Sequence, residues 1–349
     1  MANRTIRETS EHVARIMIAP DKFRSSATSK ELRRAISDVV SEMGFEPVPV
    51  AISDGGEGLL EAFGGTAHHS SVTGPLGETV HAQWTVREDP DGDVTAIIEM
   101  ARASGLSLIK DRASNDPMRA STRGTGELIR AAVELGAKTI IVGCGGSAST
   151  DGGAGALEVL DGVFPRDDIT LKVACDVTTT FLDAPSVFGP QKGATPAQVE
   201  TLRARLESLA ELYRSRYGVE VEKVARTGAA GGLAGGLLAI GATLFSGFDL
   251  VADELKLDDL IRTSALVITG EGRFDATSLS GKAVGALVDR TRNITRLLII
   301  AGEATIALDQ RRDPHATLVN LARRFGSERS YSETLECVEI ATREVLESL

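Results

Sequence analysis

Seven carboxylates, Asp21, Asp54, Glu57, Asp151, Asp176, Glu271 and Asp275, sit in short stretches rich in glycine and hydroxyl residues. The stretches are APDKFRSS (19–26), SDGGEG (53–58), VGCGGSASTDGGAG (142–155), CDVTTT (175–180), TGAAGG (227–232) and TGEGRFD (269–275). Basic residues Lys22, Arg24, Lys192, Arg273 and Lys282 lie in or beside these and the neighbouring FGPQKGAT (188–195). Small residues free backbone N–H groups to face an anion, and hydroxyls add further donors. Carboxylates beside such nests suit Mg²⁺, which takes one or two of them together with phosphate and water. The cations can clamp phosphates or a substrate carboxylate. The five histidines (12, 68, 69, 81 and 315) fall outside these stretches. Nests, acids and bases without a histidine or cysteine nucleophile point to phosphoryl transfer, in which the protein mainly positions reactants and neutralises charge.

The 142–155 loop admits a second reading. Gly143-Cys144-Gly145-Gly146-Ser147-Ala148 matches GxGxxA after a strand, the turn that holds a dinucleotide. That reading also needs a carboxylate about twenty residues on for the ribose, and Asp161–Asp168, DGVFPRDD, reads as a turn. A Walker A loop fails on spacing, because Gly281-Lys282 is followed by alanine and Lys192-Gly193 has the order reversed. What remains is an anion nest: Gly145 and Gly146 with Ser147, Ser149, Thr150 and Asp151, and a second nest at Gly228, Gly231 and Gly232. Beside it stands the plainer possibility that the glycines only let strand pack closely on helix.

These stretches follow segments that read as strands, and open α/β sheets bind ligands at the carboxyl ends of their strands. Arg15–Ala19, Pro47–Ile52, Thr139–Val142, Ala265–Thr269 and Arg296–Ala301 are short apolar runs of the kind found in parallel sheets. Val80–Arg87 and Val94–Glu99 flank the turn Asp89-Pro90-Asp91-Gly92 and predict an antiparallel pair. Helices are expected at Ser29–Met43, Gly126–Gly136, Thr195–Tyr217 and Ser332–Glu347. The alternation gives an α/β fold with a largely parallel sheet.

Composition narrows the partners. A net charge of −11 argues against a nucleic-acid binder. Cys144, Cys175 and Cys337 are widely spaced and form no CxxC pair, which fits a reducing cytoplasm without disulfides or zinc. The charged N-terminus has no apolar core and is no signal peptide. Thr227–Phe248 is uncharged for 22 residues but carries seven glycines, so it reads as a glycine loop entering a core helix rather than a membrane span.

The sequence resembles the type I glycerate kinases. The resemblance is carried by IAPDKFRSSATSKEL, SDGGEG, VTGPLGETV, IEMARASGL, STRGTGELI, GCGGSASTDGGAG, CDV, FGPQKGAT, GAAGGLAGG and GEGRFD, which run through most of the chain. It implies two α/β domains: a Rossmann-like parallel-sheet domain formed by both chain ends (1–72 plus 266–349), an inserted α/β domain (73–265), and an active site in the cleft. It also implies ATP- and Mg²⁺-dependent phosphorylation of D-glycerate, or a related hydroxy acid, to 2- or 3-phosphoglycerate by a cytoplasmic monomer or homodimer. On that reading Asp176, Lys22, Arg24 and Asp21 are catalytic, with Asp176 the first choice for the proton acceptor. Asp54, Glu57, Gly145, Gly146, Ser147, Ser149, Thr150, Asp151, Lys192, Gly228, Gly231, Gly232, Arg273 and Lys282 bind substrate or phosphate, and Glu271 and Asp275 hold the metal. Two rival readings remain, an NAD(P)-dependent oxidoreductase of a small hydroxy acid and a non-catalytic binder of a phosphorylated metabolite. The chain departs from the family pattern where APDSFKGS becomes APDKFRSS, where DVxNPL becomes DVTTTF (176–181), and after Asp275, where the Gln and Pro of DxQTxxGKxP are lost. The stretch from Gly155 to Cys175 is also short.

Overall fold

The apolar runs do form strands, and the strands divide between two sheets. The computed structural model describes residues 13–23, 26–279, 283–309, 311 and 313–348. In chain order the strands are β1 (Arg15–Ile18), β2 (Glu46–Pro49), β3 (Thr66–Thr73), β4 (Thr79–Glu88), β5 (Val94–Glu99), β6 (Thr139–Gly143), β7 (Thr170–Ala174), β8 (Thr243–Phe245), β9 (Leu266–Phe274), β10 (Arg296–Ala304) and β11 (Ala316–Asn320). The first sheet has the order β11-β10-β9-β1-β2, and its pairings are all parallel. The second has the order β3-β4-β5-β6-β7-β8. There β5 to β8 run parallel, and the expected hairpin β4–β5 is antiparallel, extended by β3. The fold is α/β with parallel sheets.

Two compact units result: the described residues of Met1–Ile52 with Ala252–Leu349, and Ser53–Val251. The breaks therefore fall at 52/53 and 251/252, not at the 72/73 and 265/266 expected from sequence. At the first break the reason is β3, a polar edge strand with no strong apolar signal, which pairs with β4 and so belongs to the second sheet. At the second, the helix Leu257–Thr263 is tied to β1: Arg15 Nη1 donates to Thr263 Oγ1 (3.2 Å) and Ala265 N–H to the Arg15 carbonyl (2.9 Å).

Each unit has its own aliphatic core. Ile16, Ile18, Leu266, Ile268, Leu298 and Ile300 centre one; Ile98, Ile140, Val142, Leu171 and Val173 centre the other. Burial on both faces explains why β1, β6, β9 and β10 read as unbroken apolar runs rather than alternating ones. Two helices carry full capping boxes. Thr28 and Glu31 exchange bonds at Ser29–Glu42, and Thr195 and Gln198 do so at Pro196–Tyr217. The second helix buries Leu202, Leu206, Ala210 and Tyr213 along one stripe, and Tyr213 Oη donates to the Gly152 carbonyl (3.1 Å), pinning the 142–155 loop from behind. Among the described residues no helix is long and apolar enough to cross a membrane. The Thr227–Phe248 stretch instead forms a 3-10 turn (Ala229–Gly232), the buried helix Leu233–Ala239 and β8.

Candidate active site

In the Ser53–Val251 unit the chemistry gathers at the carboxyl ends of β6, β7 and β8. The loop after β6 does not open a helix at its glycines, as a dinucleotide turn must. The next helix, Ala154–Leu160, starts after Gly153, well past the GxGxxA match. The loop instead folds against its neighbours. A Cβ on Gly145 would stand 2.8 Å from the Gly56 Cα, so the loop and SDGGEG meet backbone to backbone. Lys192 is buried beneath it. Its Nζ donates to Ser147 Oγ (2.7 Å) and to the Ser149 carbonyl (2.5 Å). Burial pushes the Lys192 ammonium down to about 7, partly opposed by Asp151. Asn115 Nδ2 bridges the Ala148 and Lys192 carbonyls (3.2 and 2.7 Å). Ser149 and Thr150 are buried, and their hydroxyls have no protein partner.

Asp151 is committed inside the protein. Its carboxylate accepts from Thr122 N–H and Oγ1 (both 2.8 Å), Gly153 N–H and Gly155 N–H (both 3.2 Å). It thereby ties the loop to the amino ends of Arg123–Leu135 and Ala154–Leu160. The second glycine stretch is also internal. Ala229 through Gly232 are buried, and a Cβ on Gly231 would fall 2.1 Å from the Ser149 carbonyl oxygen. A Cβ on Gly228 would fall 2.3 Å from the Thr180 carbonyl oxygen. Gly228, Gly231 and Gly232, expected as a nest, pack as a seam between two loops, whereas in the first loop Gly146 is exposed and Gly145 half-buried.

Asp176, which follows β7, has different surroundings. It is half-buried, its Oδ1 has no hydrogen-bond partner, and the backbone amides of Phe248 and Gly247 support the carboxylate from the amino end of Gly247–Glu254. Burial raises its carboxyl to about 7, with the charge of Asp54 adding to the rise. The Phe248 and Gly247 amides and the Arg226 guanidinium oppose it. Asp54 is exposed on the SDGGEG turn. Ser53 Oγ fixes this turn by donating to the Glu57 carbonyl (3.0 Å) and accepting from Gly55 N–H (3.1 Å). Glu57 itself is exposed. Asp54, Asp176, Arg226, Gly145 and Gly146 thus share one strand-end region. Sequence reading missed Arg226, which stands one residue before the TGAAGG stretch. Its only signal was a cation directly next to a glycine loop.

The other unit has its own acidic cluster, just after β1 and along the second half of β9 and its end. Asp21 N–H donates to the Gly270 carbonyl (2.8 Å), setting Asp21 alongside the β9 position that carries Glu271, which is buried. Lys22 is exposed, and its N–H caps onto Asp21 Oδ1 (2.7 Å). Asp275 Oδ1 accepts from Thr277 N–H (2.8 Å) and Oγ1 (2.6 Å), while Arg273 Nε lies 3.7 Å from Oδ2. Arg24 and Lys282 lie outside the described residues. Among the described residues no three His, Cys, Asp or Glu side chains gather as a metal cage. Paired acids can still serve an Mg²⁺ that arrives with nucleotide phosphates, since that ion needs only one or two carboxylates.

A family model described as the glycerate kinase family matches residues 16–168 and 160–349. This chain belongs to the glycerate kinase family. The glycerate 2-kinase of Escherichia coli K12 is 39% identical, the match covering 83% of this chain and 86% of that protein. The glycerate kinase of Bacillus subtilis 168 is 37% identical over 77% of this chain and 79% of its own. A crystal structure of a candidate glycerate kinase 2 from Salmonella typhimurium LT2 superposes with a TM-score of 0.79 at 32% identity, covering 97% of this chain and 98% of that one.

Proposed function

We propose that the chain is a cytoplasmic ATP-dependent kinase that phosphorylates a hydroxyl of D-glycerate, or of a related short hydroxy acid, giving 2- or 3-phosphoglycerate. The observation that carries this reading is the buried Oδ1 of Asp176, left without a hydrogen-bond partner in a half-buried carboxylate that two backbone amides support. A general base works best when its pKa lies near the working pH, and burial has moved Asp176 to about 7. Asp176 takes the proton of the substrate hydroxyl, and Asp54 favours that transfer by making the proton on Asp176 easier to hold. Gly145 and Gly146, where the first loop surfaces, offer backbone amides to the acid or to the moving phosphoryl group. Lys192 does not touch substrate in this scheme. It holds Ser147 and Ser149 and so fixes the loop that carries those amides.

ATP with Mg²⁺, when bound, supplies the phosphoryl group and leaves as ADP. In the other unit Glu271, Asp275 and Asp21 are the acids that would hold the metal, and Lys22 and Arg273 the cations that would meet phosphate. The fit of paired acids to an ion brought in by a nucleotide supports this assignment.

A coupled ADP-release assay over a panel of short hydroxy acids, with NMR of the product, tests the proposal. ADP forms with D-glycerate, and the new phosphorus resonance identifies the hydroxyl used. No ADP above background with D-glycerate removes the kinase reading. Binding of the acid without ADP would mark a metabolite-binding protein built on the kinase fold.

A further inference from the structure

Arg226 has φ 77°, in the left-handed region that ordinary L residues avoid and glycine enters freely. The surrounding backbone holds it there. Its N–H donates to the Thr178 carbonyl (3.3 Å), and two residues on, Gly228 N–H donates to the Thr179 carbonyl (3.0 Å). A long side chain on such a residue is directed by the backbone, and here it is directed at the end of β7. Nη1 donates to the Cys175 carbonyl (2.8 Å), and the guanidinium also contacts the Cys175 thiol. These partners are neutral. They orient the cation without cancelling its charge, and that charge acts on the next residue, Asp176. The side chain is partly exposed.

A guanidinium without an ion-pair partner among the described residues, fixed at the carbonyl of Cys175, next in the chain to a carboxylate whose buried Oδ1 has no hydrogen-bond partner, fits a molecule with an anionic fork at one end and a hydroxyl at the other. We infer that Arg226 receives the carboxylate of the acceptor and thereby sets the substrate class. That class is short acids whose hydroxyl lies one or two carbons from the carboxylate, close enough to reach Asp176. This rests on the kinase reading above and adds the group that would make it selective for acids over neutral polyols. The planar fork of arginine matches a carboxylate through two parallel hydrogen bonds. The same fork could serve a phosphate, so the test separates the two anions.

Arg226→Gly suits the backbone conformation, so the variant is expected to fold, with an unfolding temperature equal to or above the parent's. Calorimetric titration compares parent, Arg226→Gly and Arg226→Lys with D-glycerate, its amide glyceramide, and inorganic phosphate. Glycerate affinity falls roughly 10- to 100-fold in Arg226→Gly, recovers in part in Arg226→Lys, and glyceramide affinity stays unchanged. In turnover the loss appears in the KM for glycerate and not in the KM for ATP. Equal glycerate affinity in parent and Arg226→Gly overturns the assignment. So does an equal loss for glyceramide, a loss confined to phosphate, or a parent that binds no carboxylate. Binding that behaves as expected without any ADP release would reject the kinase reading and leave the Arg226 assignment standing.

Discussion

Two aspartates follow neighbouring strands of one sheet, Asp151 in the loop after β6 and Asp176 in the loop after β7, and their surroundings are opposite. Asp151 lies among six glycines in the stretch 142–155 and accepts four hydrogen bonds from the protein. Asp176 has no glycine within its own loop and keeps one oxygen without a partner. Glycine density thus marks where backbones press together. Chemical readiness is marked by a carboxylate oxygen that the fold has buried and left unsatisfied.

The largest expected difference between the two is in turnover. Asp176→Asn keeps the shape and removes the proton acceptor, so kcat falls about 10²- to 10⁴-fold, the usual contribution of a general base. Stability moves the other way. The folded chain holds the Asp176 proton up to about 7, well above the ordinary carboxylate range, so it binds more protons than the unfolded chain in that window. Parent stability therefore decreases as pH rises from about 4 to about 7, and Asp176→Asn flattens that slope. Denaturant melts at pH 4, 5.5 and 7 measure it. An unchanged kcat removes Asp176 from the chemistry.

Next comes the packing seam. Gly231→Ala places a Cβ 2.1 Å from the Ser149 carbonyl at φ 68°. Left-handed strain and overpacking together cost at least about 3 kcal/mol. The midpoint of denaturation drops steeply and activity is lost through unfolding. If Gly231→Ala melts like the parent but no longer binds phosphate or glycerate, the stretch is a ligand nest after all.

Asp151→Asn follows, at about 2–3 kcal/mol, because an amide NH₂ is turned toward backbone N–H groups that need an acceptor. Its signature is lowered stability with kcat per folded molecule close to the parent's. That pattern is the inverse of Asp176→Asn, and a variant of normal stability and low kcat would reverse the roles assigned to the two loops.

The sequence made some of this legible and hid the rest for physical reasons. The strands around β1, β6, β9 and β10 were readable because burial on both faces leaves continuous aliphatic runs. The helices at 29–43 and 195–217 were readable from their sequence patterns, and the structure adds a capping box to each. β3 was hidden because polar edge positions such as His68, His69, Ser70 and Ser71 carry no apolar pattern, and with it went the break at 52/53. In the site, Asp176 and Asp54 were readable as acids at strand ends. That Asp151, Gly231 and Gly232 make close contacts inside the protein was not, because a glycine freed for a ligand and a glycine freed for a neighbouring loop are the same letter. Arg226 was missed because its role depends on φ and on what lies at the end of β7, and neither is local in sequence.

The smallest effect tests the coupling between the two acids of the strand-end region. Burial is the main reason that Asp176 holds its proton so high, and the charge of Asp54 comes second. Asp54→Asn removes only that second cause, so the Asp176 carboxyl moves down toward the ordinary carboxylate range. The acid limb of the kcat/KM profile, which reports the free enzyme's base, then shifts to lower pH without changing shape. Asp54 is exposed, so solvent screens the interaction and added salt shrinks the shift in the parent as well. In the variant only the opposing Arg226 charge is left to screen, so its limb moves slightly up as ionic strength rises, while the parent's moves down. A limb that stays in place in Asp54→Asn at low salt would mean that Asp54 meets the substrate directly, without acting through Asp176, and the loss would then appear in KM.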